Sequence, residues 1–127
     1  MAFQYGTTLR TNQVAQLQAT VGTSGVLKIF SGAEPANCAS ADPTGLLCTI
    51  PLPSTFLTSS GGATALSGTW QANAAAAGIA ASFRIYDGSA VCHIQGNCTT
   101  DLVLNNTNIA SGQTVQVTSF AVTAGNA

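Results

Sequence analysis

Four cysteines and one histidine are the residues of this 127-residue chain best suited to chemistry. They form two patterns, Cys38-x9-Cys48 and Cys92-His93-x4-Cys98. Zinc knuckles usually place two cysteines roughly two to four residues apart. Neither spacing matches, so no metal site is expected. A disulfide is the second reading. Cys38 and Cys48 flank a loop, Cys92 and Cys98 flank a turn around Gly96-Asn97, and four cysteines allow three pairings, so the pairing stays open. The third reading, preferred above all for Cys92, is a small buried hydrophobe in a strand. Cys92 beside His93 invites a nucleophile-base pair. Adjacent strand residues face opposite sides of a sheet, however, and cannot readily share a proton.

The carboxylates offer little more. Asp87 sits in a turn, where its side chain can bond the backbone two residues on. Asp101 opens a strand, and nothing near either suggests the cleft a glycosidase pair needs. A calcium loop would need several more oxygen ligands. Arg84, beside Tyr86, is expected to pair with Asp101 or with an acidic group across an interface, as an exposed contact worth under about 1 kcal/mol. Trp70 reads first as core and second as a sugar platform or interface anchor. No catalytic residue and no cofactor is expected. The candidate interface residues are Phe3, Tyr5, Trp70, Arg84 and Tyr86.

Charge is scarce. Only 6% of residues are charged, against about 25% in ordinary globular chains. Ser, Thr, Asn and Gln number 44 and must supply most of the wet surface. With so few charges, copies can pack side by side with little repulsion and little desolvation cost. Three cations cannot make the roughly 6–10 phosphate contacts of a nucleic-acid binder. No basic amphipathic helix suggests membrane-surface binding, and the alanine-rich run 72–81 is too short to span a bilayer. Met1-Ala-Phe-Gln-Tyr5 lacks the basic and apolar regions of a signal peptide, so synthesis in a cytoplasm is expected. The 33 large apolar residues and 21 alanines suffice for one thin core, each large side chain contributing roughly 1.5–3 kcal/mol on burial.

The elements that must position these residues are mostly strands. Residues 1–7 read as an extended arm carrying Phe3 and Tyr5. A helix follows, capped by Thr8, Thr11 or Asn12, with Leu9, Val14, Leu17 and Val21 near helical spacing and Gly22 and Gly25 at its end. Strands are expected at 26–30, 46–50, 63–66 and 101–104. The stretch 79–96 reads as a β-hairpin turning at Asp87-Gly88, a pair suited to a type I′ turn. Phe83 and Ile85 take one face and Arg84 and Tyr86 the other, while Cys92 and Ile94 oppose Val91, His93 and Gln95. In the last strand, 114–122, the apolar phase switches between Val117 and Phe120, which predicts a bulge near Thr118-Ser119. The expected fold is mainly β: one domain over 1–127, an antiparallel sandwich, jelly roll or open barrel with one short N-terminal helix.

Three blocks carry a resemblance: Leu27-Lys-Ile-Phe-Ser-Gly-Ala-Glu-Pro-Ala-Asn-Cys38, Leu66-Ser-Gly-Thr-Trp70 running on into Ala81-Ser-Phe-Arg-Ile-Tyr-Asp-Gly88, and Asn106 through Phe120. Together they resemble small β-rich virion structural proteins of tailed bacteriophages, some of which are capsid decoration (cement) proteins. The resemblance implies no catalytic residue and no family disulfide. It implies binding to the outer surface of a phage head through the major capsid protein, self-association as a homotrimer or other homo-oligomer, and stabilisation of the shell. Modest binding per copy suffices when many lattice sites act together. A tail, collar or fibre component that binds a host receptor or glycan is the alternative, and it expects Trp70 or Tyr86 exposed. A secreted carbohydrate-active domain fits less well, because no acid/base pair stands out.

Overall fold

Leu27 and Ile29 alternate with Val26 and Lys28, and this period-two run forms β1 (Val26–Phe30) in the computed structural model, which describes residues 4–98 and 101–123. Strand β2 (Leu46–Pro51) pairs with one edge of β1, and β7 (Ser82–Tyr86) with the other. Strand β8 (Cys92–Asn97) completes an antiparallel sheet of order β2-β1-β7-β8. A second sheet is built around β11 (Thr114–Thr123), which pairs with β5 (Trp70–Asn73) through its first residues. Its middle pairs with β9 (Leu102–Leu104) and its end with β4 (Ala63–Leu66), itself hairpinned to β3 (Leu57–Ser60). A short pair, β6 (Gly78–Ile79) with β10 (Asn108–Ile109), stands apart. The fold is therefore mainly β with one N-terminal helix, as the spacing of turn residues and β-formers predicts.

One hydrophobic cluster joins the two sheets. Leu27, Ile29, Phe83 and Ile85 come from the first sheet, and Trp70, Val115, Val117 and Phe120 from the second. The rings interlock: Phe83 meets Phe120 edge-on at 5.8 Å between centroids, Phe120 meets Trp70 at 5.6 Å, and Trp70 meets Phe56 at 5.8 Å. Such tilted geometries suit the ring quadrupoles. The indole N–H of Trp70 donates to the Ser67 carbonyl at 3.1 Å, so burial leaves no donor stranded.

The phase switch in the last strand is real. Val115, Val117 and Phe120 are buried, and the β9–β11 register slips between Val117 and Ser119. One extra residue there returns Phe120 to the core face after two odd-numbered valines.

The helix α1 (Thr7–Val21) lies against β3 and β4. Gln18 Oε1 accepts from the Leu57 N–H at 2.8 Å, and Thr11 Oγ1 accepts from the Gly62 N–H at 2.8 Å. Its start differs from expectation. Gly6 is the N-cap and gives no side-chain hydrogen bond, while the Thr11 hydroxyl donates inside the helix to the Thr7 carbonyl at 2.9 Å. The helix ends at Gly22, as expected, with φ of 83° and its N–H on the Gln18 carbonyl at 2.8 Å. The helix begins at Thr7, so Thr7 is not part of the extended arm expected over 1–7, and residues 1–3 of that arm lie outside the described residues. Phe3 lies outside the described residues, and Tyr5 is half-buried.

Candidate functional site

Strand β7 is the organising element of the polar face. All five of its residues are buried, so neither side of it meets solvent. Phe83 and Ile85 face the core between the sheets. Ser82, Arg84 and Tyr86 face outward, where the loop from Ala33 to Gly45 covers Arg84 and Tyr86 and the Ser82 hydroxyl donates to the Gly32 carbonyl at 2.7 Å. The register sets Lys28, Arg84 and Gln95 in one row across the sheet and Val26, Tyr86 and Cys92 in the next.

Arg84 is only 2% exposed, which corrects its expected place on the surface. Its partner is Asp42, not Asp101: Nη1 donates to Asp42 Oδ1 at 2.8 Å. Nη2 donates to the Asn37 carbonyl at 3.0 Å, and Nε and Nη2 donate to Gln95 Oε1 at 3.2 and 3.1 Å. Gln95 in turn donates to the Pro35 carbonyl at 2.8 Å. The fork geometry of a guanidinium lets one side chain hold the loop at two points and β8 at a third. Asp101 instead accepts from the Asn97 N–H at 3.0 Å.

Tyr86 donates its hydroxyl to the same Asp42 oxygen. The Lys28 ammonium lies 5.0 Å from the Tyr86 ring centroid. The Tyr86 hydrogen bond, helped by the Arg84 guanidinium, holds the Asp42 carboxyl below its ordinary value. Burial and the Asp42 carboxylate push the Tyr86 phenol well above its own. Both shifts keep Asp42 ionised and Tyr86 neutral across ordinary pH.

The hairpin β7–β8 forms as expected, but its turn differs. Gly88 does not take positive φ; Ala90 does, at 63°. The loop is wider than a two-residue turn, with Asp87 N–H donating to the Val91 carbonyl at 3.0 Å. Asp87 Oδ1 accepts from the N–H groups of Ser89 and Val91 at 2.8 and 3.1 Å, the side-chain turn its residue type favours. Asp87 Oδ2 lies 2.9 Å from His93 Nε2. That bond and the two backbone donors lower the Asp87 carboxyl below its ordinary value. His93 is thus engaged with Asp87, and no His93–Cys92 pair is assembled.

A bulge also re-aims β8. Ile94 opposes Ile85, yet Cys92, two residues earlier, opposes Tyr86. The extra residue, His93, puts Cys92 on the loop side together with Gln95, rather than with Ile94 on the core side as alternation predicts.

The other interface candidates turn inward too. Trp70 is fully buried and Tyr86 is 5% exposed, so neither presents an aromatic platform. Among the described residues, the large apolar side chains that face solvent are Leu9, Leu46, Ile79, Val91 and Val103. None carried a strong sequence signal, because single exposed apolar residues are common on any surface. All four cysteines carry free thiols. The Cys48 thiol faces the Ala72 and Asn73 carbonyls at 3.7 Å, and Cys98 is buried, which pushes its thiol up to about 12. Among the described residues, no three His, Cys, Asp or Glu side chains are grouped to hold a metal ion. Also among them, no helix is long and apolar enough to cross a membrane.

The fold and its polar face define a mainly β protein in which the Arg84–Asp42 pair fastens a loop to the sheet. No protein-family model, no curated protein and no solved structure matches the chain.

Proposed function

We propose that the chain is a capsid decoration (cement) protein of a tailed bacteriophage. It binds the outer surface of the head through the major capsid protein and through copies of itself, and it braces the shell. It is made in the host cytoplasm and works in the virion, without enzymatic activity, nucleic acid or membrane as partner. The observation that carries this reading is the combination of scarce charge with an inward-turned Arg84. Seven charged residues serve 127, and the most highly connected of them is buried. The remaining surface is largely neutral and polar, with apolar side chains such as Ile79 and Val91 set into it. Such a surface docks on protein with little desolvation cost, and repetition on a lattice multiplies weak contacts.

The tail-fibre alternative relied on Trp70 or Tyr86 as an exposed ring for a receptor or glycan, and their burial withdraws that support. The deciding experiment compares the band of this protein with that of the major shell protein in purified particles. A near-stoichiometric ratio is expected. About a dozen copies or fewer per particle would overturn the decoration reading.

A further inference from the structure

Cys38 and Cys92, more than fifty residues apart in sequence, are brought to the same polar face. This placement has three structural causes. The His93 bulge turns Cys92 to the loop side of β8, opposite Tyr86. Arg84 fixes the Asn37 carbonyl at 3.0 Å, one residue before Cys38. Gln95 fixes the Pro35 carbonyl at 2.8 Å, so the loop is held on both sides of Asn37 and above β8. Cys38 therefore comes down beside the row that carries Cys92, and it lines one surface cavity with His93, Ile94 and Gln95 of β8. Both are partly buried, and Cys38 borders a surface cavity of about 400 Å³ with Asn37, His93 and Gln95, so a small reagent can reach it. Cys48 and Cys98 are buried elsewhere, and the Cys48 thiol faces β5.

We propose that Cys38 and Cys92 are a disulfide-forming pair that covalently fastens the 33–45 loop to β8 when the protein meets a low-molecular-weight disulfide. The loop-flanking pairs, Cys38 with Cys48 and Cys92 with Cys98, are not brought together in this way. The chemistry is thiol-disulfide exchange. The Cys38 thiolate attacks one sulfur of RS–SR, forming a mixed disulfide and releasing RS⁻. The Cys92 thiolate then attacks the Cys38 sulfur, closing the protein disulfide and releasing the second RS⁻. The two protons lost by the cysteines end on the two released thiols, so two cysteines are oxidised and one small disulfide is reduced. Burial, followed by the neighbouring Cys38 thiol, pushes Cys92 up to about 12. The second step is therefore slow near neutrality and faster in alkali. The closed loop is long, and cross-links across long loops restrict the unfolded chain most.

The test uses the purified full-length protein, incubated with oxidised glutathione or kept in dithiothreitol. Arg84 is the only trypsin site between the two cysteines. Non-reducing digestion after unfolding, with a second protease and tandem mass spectrometry, identifies the bonded pair directly. A Cys38–Cys92 link is expected, with Cys48 and Cys98 still open to alkylation once the chain is unfolded. The linked form should melt roughly 10 °C higher than the reduced form, and it should form faster at pH 9 than at pH 7. Cys38→Ser should form no intramolecular link and should melt at one temperature with either reagent. A different intramolecular pair, a glutathione adduct that never closes, or four thiols surviving the oxidant would overturn the assignment.

Discussion

Arg84 Nη1 lies 2.8 Å from Asp42 Oδ1, which ties a fully covered strand to a surface loop 42 positions away in the chain. The two ends of this pair differ in environment. The guanidinium is 2% exposed and the carboxylate 45%. Removing the carboxylate therefore leaves a buried cation, whereas removing the arginine leaves an anion that water can reach. Asp42→Ala should cost about 3 kcal/mol in urea unfolding, the low end for breaking a buried pair, because Gln95 and Asn37 still hold the guanidinium. The double variant Arg84→Met, Asp42→Ala should cost clearly less than the sum of the two single changes. Additive costs would mean that the pair is not coupled.

Stability should fall in acid through Asp42 and Asp87. Both carboxyls are lowered in the folded state, Asp42 chiefly by Tyr86 and Asp87 chiefly by His93. A lowered carboxyl contributes stability above its unfolded value, and that stability is lost as pH falls through the folded value. The loss is thus expected below about pH 4. Asp42→Asn should flatten this acid limb of the stability curve, measured by urea midpoints at stepped pH. An unchanged limb would remove Asp42 from the account.

The alkaline side has the opposite sign. Cys98 is raised to about 12 by burial, and Tyr86 is raised by burial and by Asp42. Raised thiols and phenols contribute stability that is complete below their unfolded values and is lost as pH rises toward the folded ones. Midpoints should decline from about pH 9 upward, where free thiols begin to ionise. Cys98→Ala should make this decline shallower without moving its onset, because Cys48 and Cys92 are also raised and begin to ionise at the same pH once unfolded.

Trp70 is the single tryptophan and is fully buried between Phe56 and Phe120. Its emission should be blue-shifted and insensitive to iodide in the native state, moving red in one step on unfolding. Phe120→Ala opens the contact between the sheets and should cost about 3–5 kcal/mol. Ready iodide quenching of the native protein would contradict the burial.

The β3–β4 turn separates two glycine effects. Gly61 and Gly62 both have positive φ, at 61° and 81°. A Cβ at Gly61 meets nothing within 4 Å, but one at Gly62 comes within 2.9 Å of the Arg10 side chain. Gly61→Ala should cost about 1 kcal/mol for the backbone alone, and Gly62→Ala more. Equal costs would leave the Arg10 contact without effect.

Much of the strand framework was legible in the residues themselves. β-Formers marked β1 and β2, and Gly22 marked the end of the helix. The odd-to-even switch from Val117 to Phe120 announced the register slip in β11, because a strand side chain has only two directions to choose between. What tertiary structure decided was which faces are covered. Alternation in β7 reads as one buried face and one wet one, yet the 33–45 loop buries the second. No local pattern names Asp42 as the partner of Arg84, since an ion pair carries no periodicity. One bulged residue, His93, reversed the expected direction of Cys92 and brought it to the same polar face as Cys38. Period and turn chemistry act over a few residues and so survive in sequence, whereas burial of a charge and the placing of distant thiols on one face exist only once the loop has folded over the sheet.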